Sequence, residues 1–135
     1  MRSRIFALLI MSSILLCGFS SKTFSAGVKA FNTGKYQKAM TYFQKTLKQY
    51  PAEAIVHYNL GMAYFKGEQY PAALASFQSA MQLDDKFEPL SRFYLGLCYY
   101  QNGDNEKARK ELQWVAQICE NSSIGDAAKE VIKAL

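Results

Sequence analysis

The stretch YNLGMAYFKGEQY, Tyr58 to Tyr70, decides how this chain is read, because it returns as FYLGLCYYQNGDN, Phe93 to Asn105, 35 residues later. Leu60-Gly61 falls over Leu95-Gly96, and Tyr64-Phe65 falls over Tyr99-Tyr100. A slide of 34 in the other direction lays FSAGVKAFNTGKY, Phe24 to Tyr36, over the same stretch, matching Gly27 to Gly61, Phe31 to Phe65 and Tyr36 to Tyr70. A fixed period of this length marks stacked copies of one supersecondary unit, and it outranks local assignments of helix or strand.

The segment after each copy repeats as well: KAMTYFQKTL from Lys38, AALASFQSAM from Ala72 and KARKELQWVA from Lys107. Each places an alanine, a large apolar residue four later and a smaller one three beyond: Ala39, Phe43, Thr46; Ala73, Phe77, Ala80; Ala108, Leu112, Val115. That is helical spacing, with the small residue where two helices approach. Gly34, Gly67 and Gly103 fall between the halves, where one helix stops and the chain reverses.

With its helix-turn-helix period and the pattern W-x-x-L-G-x-x-Y, A-x-x-x-F, P, the chain resembles the tetratricopeptide repeat family. The second copy carries the pattern as His57, Leu60, Gly61, Tyr64, Ala73 and Phe77, and the third as Arg92, Leu95, Gly96, Tyr99, Ala108 and Leu112. The first keeps Gly27, Ala39, Phe43 and Pro51 but has Ala26 and Ala30 where large residues are usual. The expected fold is an all-α solenoid of about seven helices: three repeats, at about 20–53, 54–87 and 89–120, closed by a capping helix in 121–135. In that last segment Ala127, Ala128, Val131, Ile132 and Leu135 share one face and Lys129, Glu130 and Lys133 the other, with Asp126 as cap or first-turn acid.

The N-terminus reads MRSR, then IFALLIMSSILLCGF from Ile5 to Phe19, then SSKTFSA. A basic start, a short apolar run and small polar residues form the pattern of an export signal. A membrane helix needs ~20 apolar residues, more than this run offers. The reading is a signal peptide over 1–25 with cleavage between 20 and 26, and export to a bacterial periplasm. An uncleaved anchor or a lipid on Cys17 is the alternative, although Leu16 stands where a small residue is wanted before a lipidated cysteine.

Removing 1–25 takes Arg2, Arg4 and Lys22 and no acid, so the net charge of +5 falls to +2. Lys29, Lys35, Lys38, Lys45 and Lys48 meet no acid before Glu53. Without an arginine cluster or interleaved aromatics they read as a solvated helix face, and no nucleic-acid partner is expected. Nor is a stable membrane span expected once the signal is gone. Cys98 and Cys119 lie on successive antiparallel helices too far apart to pair, and both read as small buried hydrophobes.

Catalysis calls for converging polar groups, and none converge here. His57, the only histidine, occupies a packing position of the repeat. No catalytic triad, metal spacing or phosphate loop is present, so no enzyme activity, metal or cofactor is expected. The resemblance implies instead a concave groove lined by the first helix of each repeat. In this sequence its lining would be Val28 and Phe31; Tyr58, Asn59, Met62, Phe65 and Lys66; and Phe93, Tyr94, Leu97, Tyr100 and Gln101. The expectation is an exported adaptor that takes a peptide or partner helix in this apolar groove. The second reading is a structural subunit that self-associates through the same surface. The aromatics divide evenly between packing and partner contact, whereas Tyr64 and Tyr99, beside the glycines, read as packing.

Overall fold

The computed structural model describes residues 21–135. Cys17 and most of the expected export signal lie outside the described residues. Among the described residues seven α-helices follow one another: α1 (Lys22–Asn32), α2 (Tyr36–Gln49), α3 (Ala54–Lys66), α4 (Tyr70–Leu83), α5 (Glu88–Gln101), α6 (Asn105–Ile118) and α7 (Ser123–Ala134). A short 3-10 turn, Asp85–Phe87, leads from α4 into α5. No strand occurs among the described residues. Each helix packs chiefly on its neighbours in sequence, which is the arrangement of a solenoid.

One contact builds each pair, and it recurs with the repeat. Gly27 faces Phe43, Gly61 faces Phe77 and Gly96 faces Leu112, so the first helix of each pair can lie directly on the large residue of the second. Ala39, Ala73 and Ala108, one turn before those residues, are wholly buried. The rings repeat too, with Phe24 against Phe43 and Tyr58 against Phe77, both at 5.7 Å between centroids.

The reversals within the pairs share one hydrogen-bond pattern. Gly34 N–H donates to the Phe31 carbonyl and Lys35 N–H to that of Ala30; Glu68 and Gln69 repeat this onto Phe65 and Tyr64, and Gly103 and Asp104 onto Tyr100 and Tyr99. The residue at the bend takes a positive φ, +74° at Gly34 and +82° at Gly103, but in the second pair that place falls to Glu68 at +60°. Gly67, one residue early in the sequence, has an ordinary φ of −84° instead.

The ends are closed by serines. The Ser21 hydroxyl accepts from Phe24 N–H at the start of α1, and Ser122 accepts from Gly125 N–H at the start of α7. The last helix thus begins before Asp126, which lies in its first turn. Ile124, Gly125, Ala127 and Ala128 bury its inner face on the third pair, and Gly125 sits against the Cys119 backbone.

Candidate partner-binding face

The first helices of the three pairs carry the residues expected to line a groove, and the structure divides them. α3 is apolar nearly all round and buries nine of its thirteen residues, as a helix between two neighbours must. Tyr58 is wholly buried and touches Phe77, Phe87 and Tyr94, at 5.7, 5.5 and 6.2 Å between centroids. Tyr94 is buried as completely, stacked on Phe77 at 5.3 Å with 14° between the planes, and met edge-on by Phe65 and Phe93. Burial pushes the Tyr94 phenol well above its ordinary pKa. Phe31, Met62, Phe93 and Leu97 are also buried. Asn59 is turned onto its own helix, its Nδ2 donating to the Ile55 carbonyl at 2.8 Å.

Tyr58, Asn59, Met62, Phe93, Tyr94, Leu97 and Phe31 are thus buried inside the stack and not open at its surface. The physical reason is that α3 packs between α2 and α4, and the rings of Tyr94 on α5 and Phe87 in the 3-10 turn close over Tyr58 as well. Val28, Phe65 and Lys66 stay accessible, all half-buried, and Tyr100 and Gln101 are exposed.

Tyr100 is exposed for a reason legible in the repeat. Phe31 packs edge-on against Tyr36 at 5.4 Å, and Phe65 against Tyr70 at 5.8 Å. At the third position the ring that would cover Tyr100 is replaced by Asn105, and Tyr100 retains 38% of its surface. The sequence expectation missed this asymmetry, although the repeat aligns Tyr70 with Asn105.

Polar groups elsewhere do structural jobs. His57 Nε2 donates to the Pro51 carbonyl at 2.8 Å, pinning the turn before α3. Arg92, at the signature's tryptophan position, holds Glu88 at 2.9 Å and Glu111 at 2.7 Å while its guanidinium lies 4.6 Å from the centre of the Trp114 ring. Partial burial lowers its pKa, but the hydrogen bonds it donates to Glu111 and Glu88 outweigh that and leave it raised. Sequence reasoning missed this cluster, although the Glu88–Arg92 spacing along one helix signals it. Cys98 is buried and Cys119 only half-buried, so the second is not the core residue expected; both are free thiols. Among the described residues no group of three or more His, Cys, Asp or Glu converges as a metal site would. No helix among them is long and apolar enough to cross a membrane. A shallow cavity of about 190 Å³ lies away from this face, lined by Glu53, Ile55, Leu83, Asp84 and Phe87 among others.

Three stacked helix pairs with a terminal cap define a helical-repeat scaffold, a class that binds through the shape of its stack. A family model of the tetratricopeptide repeat matches residues 24–86 and 70–122, and the chain belongs to that family. It is similar to the human intraflagellar transport protein 88 homolog, with 27% identity over 106 residues that cover 69% of this chain and 13% of that protein. The chain thus spans about an eighth of that relative's length. Among solved structures, the Yersinia enterocolitica type III secretion chaperone SycD, in complex with a peptide of the translocator YopD, aligns with a TM-score of 0.77 at 21% identity, over 87% of this chain and 95% of that one. The CopN–Scc3 complex aligns with a TM-score of 0.71 at 26% identity, over 84% of this chain and 66% of that one. Proteins of this fold serve in general as scaffolds and adaptors for other proteins.

Proposed function

We propose that the protein is an exported, non-enzymatic adaptor that holds an extended peptide or a partner helix along the face formed by α1, α3 and α5. The carrying observation is Tyr100: the ring that covers its equivalents in the first two pairs is missing, so an aromatic anchor stands open beside Gln101. Exposed aromatics of this kind most often supply the central contacts of an interface. Phe65, Lys66 and Val28 extend the face toward the N-terminal end, above a floor of buried rings that holds it rigid. The peptide bound by SycD in its complex, and the protein partnership of CopN with Scc3, support this reading by analogy of fold.

Export rests on the N-terminal sequence. Cleavage after Ser20 leaves the Ser21 cap and the whole of α1, whereas cleavage after Ser25 removes the first turn and the Phe24 ring that packs on Phe43. We assign the mature start to Ser21.

The test is a Tyr100→Ser substitution combined with Lys66→Glu, in a pull-down of tagged protein from its own cells. Both residues keep solvent contact, so helical circular dichroism should persist. Loss of a specific co-purifying protein is expected. Recovery equal to that of the unaltered chain would overturn the assignment of the face.

A further inference from the structure

The first helix pair is charged unlike the other two. Residues 21–52 hold Lys22, Lys29, Lys35, Lys38, Lys45 and Lys48 and no acid at all, whereas 53–135 hold all eleven acidic residues of the chain. All six lysines are exposed, and among the described residues none of them joins an ion pair. On α2 and its N-cap, Lys35, Lys38, Lys45 and Lys48 follow one another at helical spacing on the side opposite the buried Ala39, Met40, Phe43 and Thr46.

The repeat architecture does not require them. The same four places read Gln69, Ala72, Ser79 and Gln82 in the second pair, and Asp104, Lys107, Trp114 and Gln117 in the third. A stripe of four cations without a neutralising neighbour therefore belongs to this end of the molecule alone.

We propose that the outer face of the α1–α2 hairpin docks on an anionic lipid bilayer. Lysines are compact point charges suited to a diffuse negative surface, and no arginine fork is interleaved with them as a nucleic-acid site would want. Several lysines presented together on one side of a helix are each drawn to an anionic surface within a Debye length, about 8 Å at physiological salt. Lys38, Lys45 and Lys48 stand on α2, which contributes none of the residues of the Tyr100 face.

The chain from Ser21 onward, the mature form assigned above, is mixed with an excess of vesicles of phosphatidylcholine, with or without phosphatidylglycerol, and its lysines are acetylated and read by mass spectrometry. Acetylation of Lys38, Lys45 and Lys48 should slow roughly tenfold on the anionic vesicles and recover in about 1 M salt, where the screening length is ~3 Å. The exposed Lys110 of α6 should not respond. A variant with Lys38, Lys45 and Lys48 all changed to Gln should keep its helical circular dichroism and lose the lipid-dependent protection at Lys29 and Lys35. Equal rates on the two vesicles would overturn the proposal. So would protection by a single-stranded oligonucleotide with none from anionic lipid.

Discussion

Gly61 stands so close to the ring of Phe77 that a β-carbon on it would lie 2.8 Å from Phe77 Cε1. Both residues are buried, and the contact has a counterpart in each of the other two pairs. Gly61→Ala should destabilise the fold by about 1–3 kcal/mol through overpacking. In a Phe77→Ala background, itself about 3–5 kcal/mol less stable, the added cost should shrink, because the clash partner is gone. Urea unfolding of the four proteins gives the coupling. Equal costs in both backgrounds would show that the close approach of Phe77 is not what excludes a β-carbon at position 61.

The turn between α3 and α4 is the strained one. Glu68 holds φ +60°, the conformation its counterparts Gly34 and Gly103 adopt as glycines. Glu68→Gly should therefore raise stability by about 1 kcal/mol, reading as a higher urea midpoint at unchanged slope. A lower midpoint would mean the glutamate side chain contributes more than the backbone strain costs.

The fold was legible in the sequence wherever its signals are local. Period and pairing could be read, because each rests on spacing within one 34-residue unit. The fate of Tyr58 could not. Its helical phase sets it one turn before Gly61, at the edge of the inward stripe, and single-helix phase says nothing of Phe87 and Tyr94, which arrive from the next unit. The all-round apolar character of α3 was the available sign that it is covered on two sides. Likewise the missing glycine at position 68 showed as a one-residue slip of Gly67, but only the backbone angles reveal that Glu68 bears the strain.

Cys98 should be silent toward thiol reagents in the native protein. Burial pushes its pKa up to about 12, so neither access nor thiolate is available at neutral pH. In the unfolded chain the thiol ionises near its ordinary value. The unfolded state therefore loses this proton first as pH rises above about 9, and stability falls from there until the native thiol ionises too, by at most about 1.4 kcal/mol per pH unit. Labelling with a chromogenic disulfide should report Cys119 first and Cys98 only on denaturation. Rapid native labelling of Cys98 would contradict its burial.

Asp104 caps α6, accepting from Lys107 N–H at 3.1 Å while pairing with the Lys107 ammonium at 2.9 Å. These contacts hold its carboxyl below the ordinary carboxylate range, the side-chain hydrogen bond from Lys107 most of all. A depressed native pKa stabilises above the unfolded pKa of about 4, and that contribution is lost as pH falls through the native value. Carboxyl chemical shifts followed through an acid titration should show Asp104 keeping its charge to lower pH in the unaltered protein than in a Lys107→Ala variant. Equal midpoints in the two proteins would remove the Lys107 contact from the account.

The central claim is that the α1–α3–α5 face receives a partner at Tyr100. A photo-activated benzoylphenylalanine placed at position 100 tests it in the cell, with the exposed Gln113 of α6 as the comparison site. Irradiation should join position 100, and not position 113, to a second protein of one defined mass. Adducts of equal yield at both sites, adducts only to a second copy of this chain, or none at either, would contradict it.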